Sequence, residues 1–123
     1  MSIVNQGDFV IVKKRRTQDY NIVEVADIAR TTFMDTDGHV HFKSNIEKIS
    51  PIKVGEIIIT KTYHEKLVVN IEFIIAEESE EEHLTFWYET EYGDFYSLND
   101  IIAYKIISKK GPFTKTKTVM LNK

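Results

Sequence analysis

A glycine–acid pair leading into a β-branched run, met twice, constrains this chain more than any other feature of it. Gly7-Asp8-Phe9-Val10-Ile11 is restated as Gly55-Glu56-Ile57-Ile58-Ile59 at an offset of 48 residues. The same offset sets Lys61 on Lys13, Ile71 on Val23, Glu72 on Glu24 and Phe73 on Val25. Further along, the offset becomes 55, which places Gly93 on Gly38, Phe95 on Val40, Tyr96 on His41, Asp100 on Asn45 and Ile101 on Ile46. The seven extra residues coincide with the acidic run Glu77-Glu78-Ser79-Glu80-Glu81-Glu82-His83, where a strand-connecting loop tolerates insertion. Whether by duplication or by convergence on one hydrophobic spacing, the order strand, strand, hairpin, helical turn occurs twice.

Local signals supply those elements. Phe9 to Val12 is aromatic and β-branched, as suits a pleated surface. Tyr20 to Ile28 alternates around Ile22, Val23 and Val25 and reads as a second strand. Thr31 to Met34 and His39 to Phe42 flank Asp35-Thr36-Asp37-Gly38 as a hairpin, Asp-Gly being favoured where a type I′ turn needs φ > 0 at both central positions. Ser44 to Ile49 reads as a short capped turn of helix, stopped by Ser50-Pro51.

The apolar share of 42%, with only two prolines and five glycines, is enough for a packed interior and leaves no long flexible linker. At 123 residues the chain suits one compact domain or two very small ones sharing a core. The predicted fold is mainly all-β: two tandem β-meander or barrel units, residues 1–50 and 51–108, with short helical turns, packed as one compact body and followed by a basic tail at 109–123.

The chain has no cysteine, which excludes disulfides, thiolate metal sites and a Cys nucleophile. Its first residues lack the basic region and apolar core of a signal peptide. The longest apolar runs, Phe9 to Val12 and Phe73 to Ala76, are four residues, far short of a membrane span. A cytoplasmic protein without a membrane partner is the expectation.

The element order resembles the small SH3-like barrels of the KOW and Tudor type. The matching residues in the first unit are Gly7-Asp8, Val10, Val12, Val23, Val25, Asp37-Gly38 and Ile46; in the second they are Gly55-Glu56, Ile58, Ile71, Phe73, Gly93-Asp94 and Ile101. The resemblance covers about 100 residues. It implies binding to nucleic acid, to transcription or translation machinery, or to peptides, and it implies no catalysis. The composition, rich in Lys, Glu, Ile and Tyr, is similar to that of accessory proteins of large tailed phages.

Charge is sorted along the chain. Leu67 to Tyr104 holds ten acidic residues and no Lys or Arg, whereas Lys105 to Lys123 holds six lysines and no acid. The surface is therefore expected to be polarised. Lys13-Lys14-Arg15-Arg16 falls on a loop between strands, from which four cations can reach a phosphate backbone together. The alternative is a solvated loop guarding an edge strand. The tail lysines Lys109, Lys110, Lys115 and Lys117 alternate in part with threonine and fit either a charged edge strand or an arm that adds to the same polyanion contact.

The acidic run offers a contact for a basic protein surface, with Glu77, Glu78, Glu80, Glu81 and Glu82 beside the aromatics Trp87, Tyr92 and Tyr96. Strand alternation sends Phe86 and Tyr88 to one face and Trp87 to the other. Core packing or an aromatic cage for a cation, with Glu89 or Asp94 as its acid, could use these rings.

Asp35, Asp37, His39 and His41 have metal-ligand chemistry, but no further acid follows at calcium-loop spacing. His64 and His83 stand alone, and no nucleophile–base set or phosphate-cradling loop assembles. No catalytic residue, metal or cofactor is therefore expected. The leading expectation is a regulatory binding module acting on DNA or RNA or on a nucleic-acid-handling complex. The close alternative is a protein-interaction or inhibitor module docking through Glu77 to Tyr96, such as a phage-encoded modulator of a host protein.

Overall fold

Val10, Ile11 and Val12 are the most buried run of the first unit and form the middle of β1 (Phe9–Lys13). β1 pairs antiparallel with β2 (Tyr20–Ile28), setting Val10 opposite Val23. β2 continues into β3 (Thr32–Asp35), which turns back as β4 (Val40–Phe42). A 3-10 turn at Lys43–Asn45 then delivers β5 (Ile46–Ile49) to the free side of β1. The five-stranded sheet runs β4-β3-β2-β1-β5. The computed structural model describes residues 3–14, 16, 19–78 and 81–121 and divides into two units, Met1–Lys53 and Val54–Lys123.

The second unit repeats this path. β6 (Ile57–Thr60), β7 (Glu65–Glu78), β8 (Glu81–Thr90) and β9 (Phe95–Ser97) form the meander. A second 3-10 turn at Leu98–Asp100 then returns β10 (Ile101–Lys110) to β6. One strand is added: β11 (Phe113–Met120) pairs with β10 and borders the six-stranded sheet β11-β10-β6-β7-β8-β9. The protein is thus all-β, built from two units of the same strand order. Each has a core built chiefly of strand residues: Val10, Val12, Val25 and Phe33 in the first, joined by Val4 from the segment before β1; Ile58, Val68, Ile71, Phe86, Tyr88 and Ile101 in the second.

The expected strands and the hairpin are present, and two local details differ from expectation. Ser44 to Ile49 is a 3-10 turn ending at Asn45 followed by strand, because Ile46 to Ile49 is recruited as β5 by β1. The β3–β4 turn is a three-residue loop rather than type I′. The Gly38 N–H donates to the Asp35 carbonyl (3.0 Å), the Asp35 N–H donates to the His39 carbonyl (2.9 Å), and Gly38 carries the positive φ of 87°. A type I turn closed by a left-handed residue produces this pattern.

The hydrogen bonds also correct the alignment of the two halves. Gly7 N–H donates to Val25 and Gly55 N–H to Val68, while Val25 N–H donates to Asp8 and Val68 N–H to Glu56. The same bulge follows each valine, at Val25/Asp27 and at Val68/Asn70. Val68 therefore occupies the place of Val25, an offset of 43, and Phe73 does not. From Thr90 on Asp35 onward the offset is 55, as read from the sequence. Relative to the first unit, the second has a β6–β7 connection shorter by five residues and a β7–β8 hairpin longer by twelve; the apparent seven-residue insertion is their difference.

The three-residue turn recurs between β8 and β9, where Gly93 N–H donates to the Thr90 carbonyl (2.9 Å) and Thr90 N–H to the Asp94 carbonyl (3.0 Å), and a third time between β6 and β7. Tyr63 N–H donates to the Thr60 carbonyl (2.8 Å) and Thr60 N–H to the His64 carbonyl (3.0 Å). Here the left-handed position is Tyr63, with φ 64°, the one non-glycine of positive φ among the described residues; its side chain is 79% exposed. An L-residue there costs roughly 1–2 kcal/mol. Tyr63→Gly is expected to raise stability by about 1 kcal/mol in urea denaturation, and Gly38→Ala to lower it by a similar amount.

Candidate functional site

Each unit places a polar cluster at its β3–β4-type turn. In the first, Asp35 ends β3 with its side chain buried, only 3% exposed. Its Oδ1 accepts the N–H groups of Asp37 (2.9 Å) and His39 (3.0 Å), and its Oδ2 lies 2.7 Å from His41 Nε2. The His41 ring stacks on Phe33 at 5.1 Å between centroids, which fixes it over the acid. Burial alone would push the Asp35 carboxyl up; the His41 hydrogen bond, the two backbone N–H groups and the His41 charge outweigh it and hold the carboxyl below its usual range.

Asp35, Asp37 and His39 bring ligand atoms within 4.8 Å of one another. The Asp35 oxygens already serve this turn, so the cluster is accounted for as a hairpin clamp.

The equivalent positions of the second unit hold Thr90, Asp94 and Tyr96, and the acid has moved from the strand end to the far side of the turn. Asp94 accepts hydrogen bonds from Thr90 Oγ1, from Tyr96 Oη (2.8 Å) and from Lys66 Nζ, which also donates to Tyr96 Oη (2.7 Å). The Lys66 ammonium sits over the rings of Tyr96 (4.9 Å to the centroid) and Tyr92 (5.6 Å). Hydrogen bonds from Lys66 and then Thr90 hold the Asp94 carboxyl far below its usual range against a smaller opposing effect of burial, and those to Asp94 and Tyr96 push Lys66 up. The rings thus divide between the two uses the sequence offered: Phe86 and Tyr88 pack in the core, while Tyr92 and Tyr96 form a cage with Asp94 as its acid, occupied by the chain's own Lys66. Glu89 lies opposite Phe95 instead, outside the cage. Trp87 is on that face too, edge-on to Phe95 at 6.0 Å, while Phe86 and Tyr88 are buried.

Lys66 was not among the residues singled out from the sequence. The offset of 43 sets it on Val23, a half-buried position packed against the core, and a lysine at such a position needs a partner. The misplaced register hid that signal.

The basic residues put forward as phosphate contacts fall into two groups, one in each unit. In the first, Lys13 Nζ lies 5.5 Å from the Tyr20 ring centroid, and the Lys14 N–H donates to the Asp19 carbonyl (2.8 Å), closing the loop; Lys14 and Arg16 are exposed. In the second, Lys109 is the penultimate residue of β10, opposite Thr114, and Lys115 and Lys117 are exposed on β11 opposite Ser108 and Ile106. Arg15 and Glu80 lie outside the described residues, as do the side chains of Lys110, Glu77, Glu78, Glu81 and Glu82. The strand register nonetheless sets Glu77 opposite Glu82 and Glu78 opposite Glu81.

No protein-family model matches the chain, and no curated protein or solved structure does either.

The clamp has a pH signature. Asp35 has a folded pKa below its unfolded value near 4, so its contribution is fully present above pH ~4 and is lost as pH falls through the lowered folded value. Asp35→Asn is expected to lower stability at pH 7 by about 2 kcal/mol and to flatten the acid limb of a stability–pH profile measured by urea melts.

Proposed function

We propose that the chain is a non-catalytic regulatory binding module of two SH3-like units, and that the first unit binds nucleic acid through the loop Lys13 to Arg16. The observation that carries this reading is the comparison of the two β1–β2-type connections. The units share strand order, turn type and 3-10 turns, yet the first connection is five residues longer and spends that length on consecutive cations. Exposed Lys14 and Arg16 on a loop closed by the Lys14–Asp19 hydrogen bond suit contact with phosphates, which needs charge and reach and no base-reading geometry.

A second reading is supported by the β7–β8 hairpin. It is twelve residues longer in total than its counterpart and leaves Ile74 and Ile75 41% and 46% exposed. It also sets acid opposite acid at two successive pairs, an arrangement that like-charge repulsion disfavours until a cationic surface relieves it. A basic protein partner docking on this arm is the corresponding function. The Tyr92–Tyr96 cage contributes less to it while Lys66 occupies the site.

Fluorescence anisotropy with mixed-sequence DNA tests the first reading. Binding is expected to weaken steeply with salt, and Lys14→Glu/Arg16→Glu to reduce the slope of log K against log salt by about 2. Absence of binding at low salt would sink it. Capture of a partner that survives nuclease and is lost on Glu80→Lys/Glu81→Lys/Glu82→Lys would favour the second.

A further inference from the structure

Strand edges left open in the second unit point to a specific partner. Going outward from Ile57, the start of β6, both neighbours of that strand continue: β7 from Leu67 to Glu78 and β10 from Lys105 to Lys110. β6 bonds β7 only as far as Leu67, with Gly55 and Glu56 adding a bridge to Val68. Among the described residues, no strand pairs with β7 on that side from Val69 onward, and β8 covers only its other side. β11 is the outermost strand of the same sheet, eight residues long, with one edge on β10 and the other unpaired among the described residues. Among the described residues β8 is also open on its β9 side from Glu81 to Phe86, and β10 on its β6 side beyond Lys105, while the border strands β4, β9 and β5 are three, three and four residues long.

A long open edge carries a row of unpaired N–H and C=O groups and recruits another strand unless charge prevents it. The β11 and β7 edges differ in what they admit. β11 pairing with itself about Thr116 would set Lys115 opposite Lys117, which is repulsive. Against the β7 edge its charge is complementary: residues 113–120 carry two lysines and no acid, and residues 69–78 carry Glu72, Glu77 and Glu78 and no base. Apolar residues accompany the charge, with Val69, Ile74 and Ile75 exposed on β7 and Phe113 and Met120 exposed on β11.

We propose that β11 of a second copy of this chain adds edge to edge onto β7 beyond Val68, and that two such contacts related by a two-fold axis close a homodimer. This names a partner for the β7–β8 arm without requiring nucleic acid or the docking reading, since a hydrogen-bonded edge and an acidic surface are separate features of the arm.

The test is a charge swap read by analytical ultracentrifugation in low salt, without nucleic acid, with circular dichroism verifying the fold of each variant. The wild type is expected to be a dimer that dissociates as salt rises. Lys115→Glu/Lys117→Glu and Glu72→Lys/Glu77→Lys/Glu78→Lys should each weaken dimerisation at least tenfold. Mixing the two variants should restore it, because each reversed β11 then meets a reversed β7. Hydrogen exchange should show concentration-dependent protection of amides 69–75 and 113–120 in the wild type and in neither variant by itself. A wild type that stays monomeric at high concentration, a dimer indifferent to both reversals, or one that forms only on adding DNA would each overturn the proposal. A monomer that still captures a basic partner would leave the docking reading standing by itself.

Discussion

The antiparallel return of the last meander strand to the first is the pairing on which each unit depends. β5 closes on β1 and β10 closes on β6, each after a 3-10 turn of three residues. A meander alone would leave its first strand as an edge. The return covers β1 on both sides, and Val10 and Val12 then sit in the core cluster with Val25 and Phe33. The 3-10 turn sets that geometry with few residues, which is why Ile46 and Ile101 follow it directly as strand.

The hairpin turn is the second shared constraint, and its chemistry diverges while its backbone does not. Gly38 and Gly93 both take positive φ at the same turn position. Around this common turn one unit uses a buried acid with a histidine, the other an acid and a lysine caged by two tyrosines. Both arrangements give a carboxylate near the sheet interior a side-chain nitrogen as hydrogen-bond partner, as a partly buried charge requires. Divergence at fixed geometry is what two copies of one plan display when each charge pair is satisfied locally. The larger differences lie in the connections: a longer cationic loop in the first unit, a longer acid-tipped hairpin and an added edge strand in the second.

The parts legible in the sequence were those in which a residue type has one backbone meaning. Gly-Asp before β-branched residues, and Gly38 matched with Gly93, gave strand starts and turn positions in the places found. Alternation likewise separated Trp87 from Phe86 and Tyr88. The register of β7 was not legible. Val68, Ile71, Phe73, Ile74 and Ile75 form a nearly continuous apolar stretch that can be laid on Val23 and Val25 in several ways, and hydrophobic pattern alone does not rank them. Choosing Phe73 for Val25 folded a shortened loop and a lengthened hairpin into one apparent insertion, and it removed Lys66 from notice.

The sequence by itself determined the all-β class, the twofold repetition of element order and the segregation of charge, because these follow from side-chain type and spacing along the chain. Tertiary structure decided which strands meet: that β11 borders β10, that β7 runs past the end of β6 with an open edge, and that Lys66 fills the Tyr92–Tyr96 cage. Those outcomes depend on hydrogen bonds between residues distant in sequence. Their choice among alternative registers is settled by which pairing buries the most apolar surface while leaving no polar group in the core unmatched.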